Sequence, residues 1–299
     1  MMIPDAHLSY EHHIAPFRMQ GYLIGEPKKD AYWHHRAQYI HALSVCQATL
    51  DLFLQMQTII GSAQPPEFYH FMMFGVARRY KSLWSCLRTI IFKVPPERNE
   101  PMTTDEVEEI ARLLNAAYID IRGVQDNYAW ALLHLAGREL IKKIDPYRVS
   151  LFGKELLDAK QFAFLVDLQK EFKDWNKTLK QRRDPVAHRI PLTMPPSFLN
   201  EQDVIRRREL ETKWGEASTR VLSLLSTNAP GNDVEKAEAE QEELHIALQR
   251  VGSFAPYFGH DPDSGFEPLY STIPEDIGML VKLSRRINAH IVRIRETIE

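Results

Sequence analysis

The sequence predicts an all-α protein. Apolar residues recur at three- and four-residue spacings nearly everywhere, and no stretch sustains the period-two alternation of a half-buried strand. Proline pairs and capping residues also fence several of the periodic segments. With 299 residues, 44% of them apolar and 26% charged, the chain can bury one large core or two modest ones.

The first helix is expected over roughly 32–60, after an N-terminal extension over 1–30. The second, about 67–94, lies between Pro65-Pro66 and Pro95-Pro96, and its Phe71-Met72-Met73-Phe74 run reads as core packing. Thr103 and Glu106 form a capping box for the third helix. Val107, Ile110, Leu114, Ala117, Ile121, Val124, Tyr128, Ala131 and Leu135 give that helix an unbroken 3,4 stripe. After a turn-rich loop through Gly153, the fourth helix places Leu165, Leu168, Phe172, Trp175 and Leu179 on one side, a stripe that ends in Arg182 and Arg183. Asn200 or Glu201 opens a fifth helix, which carries Arg206-Arg207-Arg208 and ends near Leu225. The segment from Thr227 to Asn232 reads as a linker. An acidic helix with Glu235, Glu238, Glu240, Glu242 and Glu243 follows, then a loop from Gly252 to Ser271. A last helix should start near Pro274 with Thr272 and Glu275 as its capping pair. This suggests a bundle over 31–226 and a C-terminal helical extension over 227–299 that packs on it.

Charge excludes one class of argument. The 37 Lys+Arg against 40 Asp+Glu leave a net charge of -3, so an anion site has to be a local patch. The N-terminus lacks the basic and apolar regions of a secretory signal, and the apolar run near Phe71–Ala77 is too short to span a bilayer. A cytoplasmic location without a membrane partner is therefore expected. Cys46 and Cys86 sit in apolar helical patterns and read as buried reduced thiols. His34, His35 and His41 on the first helix, and His12-His13 before it, lack carboxylate or thiol companions at ligand spacing and read as solvated or capping residues. No metal site, phosphate loop or cofactor motif is expected.

The stretch Arg183-Asp184-Pro185-Val186-Ala187-His188 concentrates the chemistry. Arginine presents a rigid fork of donors to phosphate, and histidine exchanges protons near neutrality. On one continuous helix, positions 183 and 188 stand about 140° apart and cannot readily serve one ligand. Pro185 removes that objection if it breaks the helix, with Asp184 as the N-cap of a short new turn that Pro191, Pro195 and Pro196 prevent from growing. Lys177, Lys180, Arg182 and Arg189 surround the pair and suit an RNA backbone. The structural alternative has Arg183 paired with a carboxylate of the third helix, Asp184 as a cap, and His188 satisfied at the bundle edge.

Arg-x-x-x-x-His with a polar residue after the Arg resembles the signature of the HEPN superfamily. The words RRDPVAHRIPL and QDNYAWALLH are similar to those of an uncharacterised bacterial group of HEPN-like helical proteins, over roughly residues 65–225. The resemblance implies a helical bundle that dimerises about the motif and cuts RNA without metal, in a toxin or phage-defence setting. It places Arg183, His188 and Asp184 in the catalytic positions, with Asp126 or Asn127 as the supporting polar residue. The tyrosine that follows the His by two positions in toxins controlled by a nucleotidyltransferase is Ile190 here. An antitoxin or other protein regulator of that type is left open. Cleavage through the 2′-hydroxyl needs a base, an acid and cations on the phosphorane. One chain supplies one His188, so a homodimer would supply the second. A non-catalytic RNA-binding or protein-interaction module is the alternative.

Overall fold

Four long helices enclose the core. A computed structural model describes all residues except 1, 61–64, 138–140, 143, 189, 262, 264 and 299. A 3-10 turn (Asp5–Leu8) and α1 (Tyr10–Met19) precede α2 (Pro27–Ile59). Next, α3 (Pro66–His70) runs through a π-helical stretch (Phe71–Ala77) into α4 (Arg78–Lys93), and α5 spans Thr104–Ala136. A short α6 (Lys154–Leu157) leads to α7 (Phe164–Glu171) and α8 (Lys173–His188). The chain then forms a hairpin of α9 (Glu201–Ser226) and α10 (Gly231–Gln249). A small antiparallel pair, β1 (Tyr257–Phe258) with β2 (Glu267–Pro268), precedes α11 (Leu269–Ile298).

The fold is all-α apart from that pair. Helices α2, α4 and α5 pack side by side, and α11 lies against them. Three buried tyrosines hold α11 in place. Tyr80 on α4 bonds Ser284 at 2.5 Å, while Tyr118 and Tyr128 on α5 donate to Asp276 and Asn288, each at 2.9 Å. A buried hydroxyl needs such a partner, so each bond fixes the register between helices.

The local expectations for the starts of the third and fifth helices hold: the Thr103–Glu106 capping box is formed, and the fifth helix opens at Glu201 with Asn200 as its cap, where the structure adds a box closed by Asp203. Tertiary structure changes several others. The N-terminal extension contains α1, and its Leu8 and Ile14 are fully buried against the bundle. The fourth helix is interrupted at Phe172, not at Pro185. The Thr227–Pro230 linker is the tip of the α9–α10 hairpin, whose helices pack mainly on each other. The last helix begins at Leu269, one turn before its expected cap, and belongs to the core. In the Phe71–Phe74 run, only Met72 is buried and Phe74 is 45% exposed.

His41 is also unlike its expectation, being fully buried on α2. It faces His13 and Tyr10 of α1, the Leu8 backbone, and Glu275 and Lys282 of α11, with its Nε2 3.5 Å from Glu275. Burial pushes the ring down to about 4 and also pushes Glu275 up, so desolvation outweighs their attraction. The unfolded chain therefore binds the His41 proton first as pH falls from 6.5, and stability drops until about pH 4. Urea titrations at pH 7 and pH 4.5 should show wild type losing about 2–3 kcal/mol more than His41→Gln. Equal losses in the two proteins would mean that His41 does not carry the acid sensitivity.

Candidate functional site

Helix α8 presents two different faces beyond its buried Leu179. On one, Trp175 donates its Nε1–H to Asp276 of α11 at 3.0 Å, and Arg182 follows. Arg182 reaches Asp276 through Nη1 at 2.8 Å and grips Glu267 of β2 through Nε and Nη2 at 3.0 and 2.6 Å. Its guanidinium is thus consumed by an internal ion-pair network. The assignment of Arg182 to RNA binding is corrected accordingly.

On the other face, Asn176, Leu179, Lys180, Arg183 and Asp184 follow the 3,4 periodicity. They meet Arg122 of α5 around a pocket of about 180 Å³. Arg183 touches the Asp184 carboxylate at 3.3 Å, and its buried Nε–H has no hydrogen-bond partner among the described residues. Arg122 is oriented by Gln125 at 3.1 Å, Ser150 at 3.2 Å and Asp126 at 3.2 Å. Arg79 of α4 lies one layer away, paired with Asp120 at 2.7 Å. It passes over Gly123, where a Cβ would lie 2.3 Å from its guanidinium.

Burial pushes the Asp126 carboxyl up, against the pull of Arg122, Arg183 and Arg79 around it. At the pocket itself the cations Arg122, Lys180 and Arg183 face the Asp184 carboxylate, with Asp126 paired to Arg122 beside them. The pocket favours an anion that accepts several hydrogen bonds, as a phosphate does.

The motif itself does not form as expected. Helix α8 continues through Pro185 to His188, and Asp184 lies inside it instead of capping a new turn. Pro185 sits in the final turn, so only the Gln181 carbonyl loses its backbone partner and the helix survives. Backbone geometry then leaves positions 183 and 188 about 140° apart on one helix. The His188 side chain, and Arg189 as a whole, lie outside the described residues.

The remaining expected positions divide. Asp126 adjoins Arg183, whereas Asn127 donates to the Gly123 carbonyl at 2.7 Å and packs on Gly75, away from the pocket. Lys177 and Lys180 are exposed along α8. Among the described residues no group of three His, Cys, Asp or Glu side chains is placed to hold a metal ion. Arg122 and Arg79 were not singled out in the sequence. The one available signal was Arg122 standing four residues before Asp126, which places both on one side of the third helix.

After the motif, the Pro-rich tail is strapped to α5. Asn115 bonds both backbone groups of Leu192, at 2.8 and 2.9 Å, and Leu192 and Met194 are buried. No helix is long and apolar enough to cross a membrane among the described residues. No family model matches this chain, and no curated protein and no solved structure matches it.

Proposed function

We propose that this protein is an RNA-binding helical module whose phosphate site is the pocket between α5 and α8. The observation that carries the reading is the convergence of Arg122, Lys180 and Arg183 on one pocket, where the buried Nε–H of Arg183 has no hydrogen-bond partner among the described residues. Phosphate contacts supply most sequence-independent affinity for RNA, and the pocket's donors suit them. The unbroken α8 weighs against proton transfer by His188 to a phosphate held on Arg183 of the same chain.

The same observation shapes the second reading, a metal-independent HEPN-type endoribonuclease. With 183 and 188 apart on one helix, Arg183 of one copy and His188 of another would have to complete the site, which calls for a homodimer about the motif. A toxin or phage-defence role, with or without a protein regulator, rests on the sequence resemblance alone.

Incubating the protein with mixed RNA in the presence of a chelator separates the two. Binding without cleavage, unchanged in His188→Ala, is expected. Cleavage that survives the chelator and falls about a hundredfold or more in His188→Ala would replace this reading with the nuclease.

A further inference from the structure

Helix α5 links the phosphate pocket to a second feature. Arg122, Asp126, Trp130 and His134 succeed one another at four-residue steps, each about 6 Å further along the axis and about 40° further around it, so the row winds around α5 and a ligand following it would have to wind with it. The stripe begins at the cationic pocket and ends in aromatic rings. Phe71 of the π-helical stretch stacks on both, its ring 5.7 Å from Trp130 and 5.4 Å from His134, with interplanar angles of 12° and 21°. Burial pushes the His134 ring down, which keeps it neutral and able to stack near pH 7.

The outer part of this group faces solvent. Phe74 and Tyr69 are 45% and 46% exposed and meet edge to face at 6.1 Å, and Arg78 lies 4.6 Å above the Phe74 ring. The π-helical stretch sets Phe71 against the rings of α5, with Phe74 one turn further out. Gly75 permits the approach, since a Cβ there would lie 2.4 Å from the Asn127 side chain. A π-helical stretch interrupts regular hydrogen bonding and is frequent at functional sites. Exposed aromatic rings gain little in water and are a poor choice for a purely solvated surface.

Resting on the RNA-binding reading, we infer that Tyr69, Phe74, Arg78, Trp130 and His134 form a stacking platform for unpaired bases, so that the ligand is single-stranded RNA. Cations that track a backbone, followed along one helix by aromatic and guanidinium planes, are the two components that single-strand binding requires. A duplex hides its base faces and would use the pocket alone.

Fluorescence anisotropy tests this with a labelled single-stranded 12-mer, the same sequence as a duplex, and a 12-mer of equal charge that lacks bases. The single strand should bind about tenfold tighter than the other two. Phe74→Ala should weaken only the single strand, by about fivefold to a hundredfold, without changing its salt dependence, and Phe74→Tyr should restore it. Lys180→Ala should weaken all three probes. Equal affinity for the three probes, or indifference to Phe74→Ala with Lys180→Ala still effective, would overturn the platform while leaving the phosphate site standing. Failure of every probe to bind would overturn both.

Discussion

Replacing Asp276 by alanine is expected to destabilise the protein by about 3–5 kcal/mol, the cost of removing one partner from a buried charge network. The side chain is 3% exposed and accepts from Tyr118 at 2.9 Å, Trp175 at 3.0 Å and Arg182 at 2.8 Å. Alanine would strand the Tyr118 hydroxyl and the Trp175 indole N–H, which have no other described hydrogen-bond partner. Arg182 would keep only Glu267, which is 46% exposed and better screened. The melting temperature should fall by roughly 5–8 °C. Asp276→Asn, which retains an acceptor oxygen, should lose less. A melting curve for Asp276→Ala within 1–2 °C of wild type would show that the network does not hold α5, α8 and α11 together.

The second large effect concerns binding. Lys180→Ala combined with Arg183→Ala should lower RNA affinity about a hundredfold at low salt, taking about tenfold for each charged donor lost. The plot of log affinity against log salt should flatten by about 1.4 for a single strand, because two fewer phosphates release their counterions. Arg182→Ala is the internal contrast. Its guanidinium is committed to Glu267 and Asp276, so the salt slope should stay unchanged while stability falls. A shallower slope for Arg182→Ala, with no change for the Lys180/Arg183 double variant, would reverse the two assignments.

These two neighbours on α8 show where reading the sequence stops. Periodicity carries the inward stripe of the fourth helix through Leu179 to Arg182 and Arg183, and on that basis the two cations are equivalent. The structure separates them. One turns to a carboxylate contributed by α11, far along the chain, and the other turns to the pocket that Arg122 closes from α5. A one-residue step rotates a side chain by about 100°, enough to send adjacent residues to different helices once those helices are in place.

What the sequence determined by itself is what depends on near neighbours. The helical class follows from the 3,4 spacing, the start of α5 follows from the box Thr103–Glu106, which closes within four residues, and the start of α9 follows from Asn200 as a cap. The Arg122–Asp126 spacing on α5 is of the same local kind. The tertiary structure decided what depends on distant partners. Pro185 costs α8 one hydrogen bond in its last turn, too little to break a helix already anchored by Trp175 and Leu179. The 3-10 turn and α1 are held by packing of Leu8 and Ile14, and α11 enters the core by burying Ile277, Leu280, Ile287 and Ile291, with its register set by the three tyrosine hydroxyls that bond it. Long-range burial and the satisfaction of buried polar groups outweigh local signals because each contributes free energy comparable to a helix cap and they act together.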